Sequence, residues 1–219
     1  MDSNTAADSR IVKVLCLGDS LTAGFVKGAY FAPYSDHLAN LFKDQHPQNN
    51  IDVIFVNAGI NGDTIDHIQE RLPNLLRKDQ YHHVVFLAGT NDLGGIDHDE
   101  ALTAEEEVAH LSYQGIYDMM TAAPTLKSFL QLTIPYNAFD RLDPTLKDMK
   151  DALNDRILRE PCPKKKVLDL NDPQYGFNNL LMTDDERSEY WQDGLHYTAK
   201  GYKRLADCIC NGVAEMILE

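Results

Sequence analysis

A serine, an aspartate and a histidine of this chain occur in the pattern used for nucleophilic catalysis. Ser20 lies in the segment Gly18-Asp-Ser-Leu-Thr-Ala-Gly24, whose glycines suit a tight turn that projects a side chain. Asp193 and His196 are three residues apart, within reach of a local hydrogen bond. A serine hydroxyl becomes a strong nucleophile when a histidine removes its proton, and a carboxylate orients that histidine. The sequence therefore predicts Ser20 as nucleophile, His196 as general base and Asp193 as the orienting carboxylate.

Acyl transfer also needs hydrogen-bond donors directed at the oxyanion that forms when the serine attacks. The backbone N–H of Ser20 is one candidate donor. The N–H of Gly59 is a second, because glycine allows the backbone to come close to a ligand. The side-chain amide of Asn91, in Gly89-Thr-Asn-Asp92, is a third. These three groups are the candidate donors of an oxyanion hole.

The elements that must position these residues alternate between strand and helix. Helical apolar periods separate the β-rich segments, which favours a parallel sheet with helices on both faces. In such sheets ligands bind at the carboxyl ends of the strands. The segments with Ser20, Gly59 and Asn91 each follow a predicted strand directly. The five predicted strands are residues 11–17, 51–58, 82–88, 128–134 and 166–170.

Two later stretches carry specific expectations. Thr103-Ala-Glu-Glu106 has capping-box form, and the apolar period after it predicts one helix through Val108 to Met120. Residues 171–192 are predicted as the longest irregular segment. Its aromatic side chains leave two interpretations open, a lid that shelters an acyl chain or a loop packed over the sheet edge. Those aromatic residues are Tyr175, Phe177, Tyr190 and Trp191.

Four ordered segments resemble the sequence blocks of the SGNH (GDSL) hydrolases. They are Gly18-Asp-Ser-Leu21, Gly59 within residues 57–64, Gly89-Thr-Asn-Asp92 and Asp193-Gly-Leu-His196. A single Gly-Asp-Ser arises easily by chance, whereas four blocks in order from residue 18 to 196 are a specific signal.

The resemblance implies a three-layer α/β/α sandwich with a five-stranded parallel sheet of order 2-1-3-4-5. It implies an esterase or lipase that needs no metal or organic cofactor. It also gives Ser20, Asp193 and His196 the catalytic roles, and Ser20, Gly59 and Asn91 the oxyanion hole.

Composition limits the partners of the chain. Its 219 residues suit a short polar tail, residues 1–10, and one domain, residues 11–219. A formal net charge of −14 disfavours nucleic acid and anionic membranes and favours a neutral small-molecule ester. The sequence shows no signal peptide and no apolar span, so we expect a cytoplasmic protein without membrane insertion. The oligomeric state and the role of Cys208 and Cys210 stay open.

These observations favour a serine esterase for small to medium acyl esters. A carbohydrate acetylesterase, or a lysophospholipase or thioesterase of the same family, stays open as an alternative. A non-catalytic α/β binding protein is the alternative of a different class. The loop after the first strand has neither a P-loop ending nor the G-x-G-x-x-G pattern, which disfavours nucleotide binding.

Overall fold

A five-stranded parallel sheet forms the centre of the protein. The computed structural model describes residues 9–28 and 30–219, so most of the predicted tail, residues 1–8, lies outside the described residues. The strands pair in the order β2-β1-β3-β4-β5, all parallel, which confirms the 2-1-3-4-5 order. In chain order β1 to β5 are Arg10–Gly18, Ile51–Gly59, His83–Leu87, Ser128–Leu132 and Lys165–Leu168.

Helices cover both faces of this sheet. Successive β1 side chains point to opposite faces. Cys16 packs in one hydrophobic cluster with the C-terminal helix, and Leu17 packs in a second cluster that includes Ile68 and Leu153. The three-layer prediction is therefore confirmed. The described helices, α1 to α10, are Ser20–Ala23, Tyr34–Gln45, Ile65–Lys78, Thr90–Gly94, Ala104–Glu107, Gln114–Ala122, Ala138–Leu142, Pro144–Arg159, Asp184–Tyr190 and Ala199–Leu218.

The register of the central strands brings the predicted site segments to one level. Gly18 at the end of β1 is paired with Gly59 on one side and Leu87 on the other. The loops after β1, β2 and β3 therefore leave the sheet side by side. A short antiparallel pair, Phe25–Val26 with Tyr30–Phe31, lies just after α1.

The single helix predicted after Thr103 is wrong. The Thr103 capping box does begin α5, but that helix ends at Glu107 and α6 starts only at Gln114. Arg156 of α8 donates to the carbonyl oxygens of Val108 and Leu111 at 2.9 and 2.6 Å. These carbonyls obtain their partners from a distant helix, so the chain turns there instead of continuing as a helix.

Residues 171–192 are also more ordered than predicted. They contain a 3₁₀ turn, Pro173–Tyr175, and the helix α9, which the Thr183 capping box begins. Phe177 and Trp191 are buried, and their ring centroids lie 5.0 and 4.4 Å from that of Tyr197. These two rings are therefore core residues next to the Asp193–His196 turn. For these two rings, burial favours the packed loop over the lid.

All four cysteines are free thiols, and Cys16 and Cys210 are buried. Within residues 9–28 and 30–219, no helix has both the length and the apolar character needed to cross a bilayer.

Candidate active site

Ser20, His196 and Asp193 form one hydrogen-bonded chain. Ser20 Oγ lies 3.0 Å from His196 Nε2, and His196 Nδ1 lies 2.9 Å from Asp193 Oδ2. The second carboxylate oxygen, Oδ1, accepts the backbone N–H groups of Leu195 and His196 at 3.0 and 2.7 Å. Asp193 is thus held against the backbone of its own turn while its other oxygen orients the imidazole. The structure brings together the three residues predicted for catalysis, which come from opposite ends of the chain.

The charge state of Asp193 suits that orienting role. Partial burial acts to raise its pKa, but the hydrogen bonds from His196 and Leu195 outweigh burial and lower the pKa below its ordinary value. The carboxylate is therefore ionised over the whole neutral range. An ionised carboxylate at Nδ1 fixes the ring tautomer that leaves Nε2 free to accept the proton of Ser20.

Ser20 occupies the first turn of α1, where the local sequence fixes its backbone. Asp19 is the N-cap, and its Oδ1 accepts the Leu21 N–H at 2.8 Å. Gly24 ends the helix at φ +79°, a left-handed conformation that glycine adopts without strain. Ser20 itself is only 6% exposed, so its hydroxyl is held in a largely desolvated position.

Asp19 is a buried carboxyl group directly beside the nucleophile. Burial raises its pKa to about 7; the Leu21 hydrogen bond opposes this rise, and the nearby Asp92 and Asp63 carboxylates add to it. Its Oδ2 atom has no hydrogen-bond partner among the residues that the structure describes. Asp19 therefore caps the turn that carries Ser20. Ionisation of its buried carboxyl group destabilises the folded protein.

The His196 turn is held at its base by aromatic packing and backbone hydrogen bonds. The Gln192 N–H donates to His196 O at 3.0 Å, and Trp191 and Tyr197 form an antiparallel bridge. The Phe25 ring lies edge-on to the imidazole, with 4.9 Å between centroids. The backbone hydrogen bonds of the turn and the Phe25 ring therefore restrict the position of the His196 imidazole.

Two of the predicted oxyanion donors are available. In the described part of the chain, the Ser20 N–H donates no hydrogen bond. Asn91 Nδ2 donates one hydrogen to Asp63 O at 2.8 Å, which leaves its second hydrogen for a ligand. Both groups lie at the carboxyl ends of adjacent strands.

The structure does not support Gly59 as the remaining donor. Its N–H already donates to Asn57 Oδ1 at 2.8 Å. A Cβ atom at this position would lie 2.1 Å from Ala23 N, so glycine is required for packing of β2 against α1. The need for glycine at residue 59 is steric rather than catalytic.

Gly62, three residues later, is a candidate donor that the sequence prediction did not include. It is exposed at φ +82°, and a Cβ atom there would meet nothing within 4 Å. Its N–H has no acceptor within residues 9–28 and 30–219. It precedes Asp63, whose carbonyl binds the Asn91 amide. The signal was present as a second glycine in Asn57-Ala-Gly-Ile-Asn-Gly-Asp63, but the sequence alone did not separate the two glycines.

Side chains join the three loops around the site. Arg71 Nε donates to Asp63 Oδ2 at 2.6 Å, and Arg71 Nη2 donates to Gly18 O at 3.0 Å. Both Asp92 carboxylate oxygens accept the Ile65 N–H at 3.1 Å. Asp63 therefore pairs with Arg71 instead of capping α3, which Thr64 does, and Asp92 links the Asn91 loop to the start of α3.

A cavity opens beside the Asn91 amide. It has a volume of about 510 Å³ and is bordered by Asn91 and by Leu195 of the catalytic turn. Its lining includes the apolar side chains of Leu93, Phe139, Leu142 and Leu146, together with the polar side chains of Asn137 and Lys150. The site therefore combines the hydrogen-bonded Ser20–His196–Asp193 chain with an adjacent, largely apolar cavity.

Comparison with known proteins agrees with this geometry. The model of the GDSL-like lipase/acylhydrolase family matches residues 16–204, most of the chain. The chain belongs to that family. The resemblance seen in the four sequence blocks is thereby confirmed, and membership assigns the chain to the lipases and acylhydrolases, the predicted enzyme class.

Individual relatives extend the comparison. An arylesterase from Vibrio mimicus is 35% identical over 88 residues, which cover 40% of this chain and 42% of that protein. An acetylxylan esterase from Geobacillus stearothermophilus, solved as a catalytic mutant, superposes with a TM-score of 0.67 at 22% identity, covering 94% of this chain and 95% of that one. An α/β hydrolase from the Lake Arreo metagenome gives 0.64 at 20% identity, with 94% and 97% coverage. These structures share the fold.

Proposed function

We propose that the chain is a serine esterase that hydrolyses small to medium acyl esters through an acyl-enzyme on Ser20. The observation that carries the proposal is the continuous hydrogen-bonded chain from Ser20 Oγ through His196 to Asp193. No hydrogen bond to a competing residue interrupts this order in the described part of the protein. The same three groups in the same order activate serine on unrelated folds.

The chemistry follows from the positions of the two imidazole nitrogens. His196 Nε2 accepts the Ser20 proton as Oγ attacks the ester carbonyl, and the imidazolium is stabilised by Asp193. The same proton passes to the leaving alkoxide when the C–O bond of the tetrahedral intermediate breaks. Water then attacks the acyl-enzyme with His196 as base, which releases the acid and restores Ser20.

The oxyanion is stabilised by the Ser20 N–H, the second hydrogen of Asn91 Nδ2 and the Gly62 N–H. We assign the last donor to Gly62 instead of Gly59 because the Gly59 N–H is bound to Asn57. This assignment is measurable by NMR with ¹⁵N-glycine labelling. In a phosphonate adduct of Ser20 the Gly62 amide resonance should move downfield, while the Gly59 resonance should stay within the range of the other glycines. The reverse pattern would return the role to Gly59.

The cavity beside Asn91 supports an acyl group longer than acetyl. Leu93, Phe139 and Leu195 present apolar surface there, and burying each methylene of an acyl chain contributes about 0.8 kcal/mol. Hydrolysis of p-nitrophenyl esters from C2 to C12 should therefore show kcat/KM rising above the acetate value. An optimum at C2, with high activity on an acetylated sugar, would favour the carbohydrate acetylesterase.

Ser20→Ala tests the mechanism itself. The variant should fold as the wild type, because alanine is compatible with the first turn of α1, and it should lose ester hydrolysis and labelling by a fluorophosphonate probe. Ser35→Ala is a matched control, since Ser35 is a buried serine at the start of α2 and is outside the site. Wild-type activity in Ser20→Ala would exclude Ser20 as the nucleophile.

A further inference from the structure

Two buried charges lie next to the site, and one of them, Lys150, borders the cavity beside Asn91 without taking part in the proposed chemistry. Lys150 of α8 and Asp140 of α7 form an ion pair of 2.5 Å, and their side chains are 2% and 0% exposed. Lys150 Nζ also donates to Pro135 O at 3.2 Å, and Asp140 Oδ2 accepts the Asn137 N–H at 2.6 Å. The pair therefore holds residues 135–142, here termed the bridging segment, against α8.

A backbone hydrogen bond joins the bridging segment to the turn of Asp193 and His196. The Ala138 N–H donates to Gly194 O at 2.9 Å, between the catalytic Asp193 and His196. Gly194 has φ +86°, and a Cβ atom there would lie 3.1 Å from Ala138 Cβ. The first residue of α7 thus holds the Gly194 peptide in place.

Stability alone does not account for the buried pair. Desolvating two charges costs several kcal/mol, and replacing a buried pair by apolar side chains is often neutral or stabilising. Asp140 Oδ1 adds to this cost, because among the described residues it has no partner. We therefore explain the pair by the position that it gives to the bridging segment.

We propose that the Lys150–Asp140 pair is a positioning device, which places the Asp193–His196 turn through the hydrogen bond from Ala138 to Gly194. This inference rests on the proposed function of that turn. Displacing a catalytic group by about 1 Å reduces rates by about 10²-fold. Loss of the contact should therefore reduce kcat while the protein stays folded.

Ala138→Pro removes this hydrogen bond. Residue 138 is the first residue of α7, where proline fits because its missing N–H has no helical acceptor. Asn137 is extended, at φ −133° and ψ −171°, as a residue before proline must be. Ala138→Ser retains the N–H and is the matched control. We expect kcat to fall at least tenfold in Ala138→Pro and less than twofold in Ala138→Ser.

A double variant removes the charges and keeps the cap. In Lys150→Met with Asp140→Asn, the new amide oxygen still accepts the Asn137 N–H. Arg159→Met with Asp155→Asn is the control, because it removes an exposed ion pair of the same helix. We expect a folded double variant with kcat reduced at least tenfold, and a control with wild-type kcat.

A spectroscopic measurement separates this proposal from the proposed function. The His196 Nδ1 proton shared with Asp193 should give a low-field ¹H resonance in the wild type, and both variants should shift or broaden it. Wild-type resonance and kcat in either folded variant would overturn the proposal. Unfolding of both variants, with folded controls, would also overturn it by showing a structural role only. A wild-type protein that shows the resonance but hydrolyses no ester would refute the proposed function instead.

Discussion

Replacing Asp19 by Asn should remove a pH dependence of stability that this buried carboxyl group imposes. Burial raises the pKa of Asp19 from an ordinary 3.8 to about 7 in the folded protein. The folded state therefore holds the proton more tightly than the unfolded chain. The contribution of Asp19 to stability is complete below about pH 4 and is lost as the pH rises to about 7.

The size of the effect follows from the two pKa values. Their difference corresponds to about 4 kcal/mol in total, of which about 2 to 3 kcal/mol is lost between pH 5 and pH 8. Asn at residue 19 cannot ionise but still accepts the Leu21 N–H, because asparagine is as good an N-cap as aspartate. The stability of Asp19→Asn relative to wild type should therefore increase by about 2 to 3 kcal/mol from pH 5 to pH 8.

Urea unfolding measures this difference directly. The single tryptophan, Trp191, is buried and reports unfolding by its fluorescence. Asp79→Asn is the control: its hydrogen bond to Lys13 lowers the pKa of this partly exposed carboxylate, so its contribution is lost only in acid, below about pH 4. A stability difference between wild type and Asp19→Asn that is equal at pH 5 and pH 8 would refute the reasoning.

Three substitutions in the strand-end loops should have separable effects. Asn91→Ala should lower kcat about 10²- to 10³-fold, the usual result of losing one oxyanion donor, and a loss below twofold in steady-state assays would remove Asn91 from that role. Gly59→Ala should cost more than about 3 kcal/mol in urea unfolding, because its Cβ would overlap Ala23 N at 2.1 Å. Gly62→Ala should cost only about 1 to 2 kcal/mol, the strain of a positive φ, since its Cβ meets nothing. Equal costs at residues 59 and 62 would contradict the steric account.

The sheet and the contact between Asp193 and His196 were predictable because their signals are local. Strand β1 is a nearly continuous apolar run, typical of a strand covered on both faces, and its predicted bounds differ from the observed ones by one residue at each end. Asp193 and His196 are three residues apart, so their contact needs only a turn. The strand order followed from the family resemblance and not from the periodicity.

The errors arose where contacts between distant residues decide the local conformation. Arg156 ends the predicted helix after Thr103 by binding the carbonyls of Val108 and Leu111, more than 40 residues earlier in the sequence. Phe177 is buried against Tyr197, which follows α9 in the sequence. Neither partner is visible in the local sequence pattern.

The two glycines after β2 show why a motif identifies a loop more securely than an atom. Asn57 binds this loop to α1, since its Nδ2 donates to Thr22 O at 2.9 Å while its Oδ1 accepts the Gly59 N–H. The first half of the loop is thus committed to holding β2 against the nucleophile helix. The second half turns at Gly62 and presents an unbound N–H beside the Asn91 contact. Packing and oxyanion binding make opposite demands on an N–H group, one satisfied within the protein and one available to a ligand. A loop that meets both demands therefore uses two glycines, and the bound N–H of Gly59 is the observation on which we assign packing to Gly59 and propose oxyanion binding for Gly62.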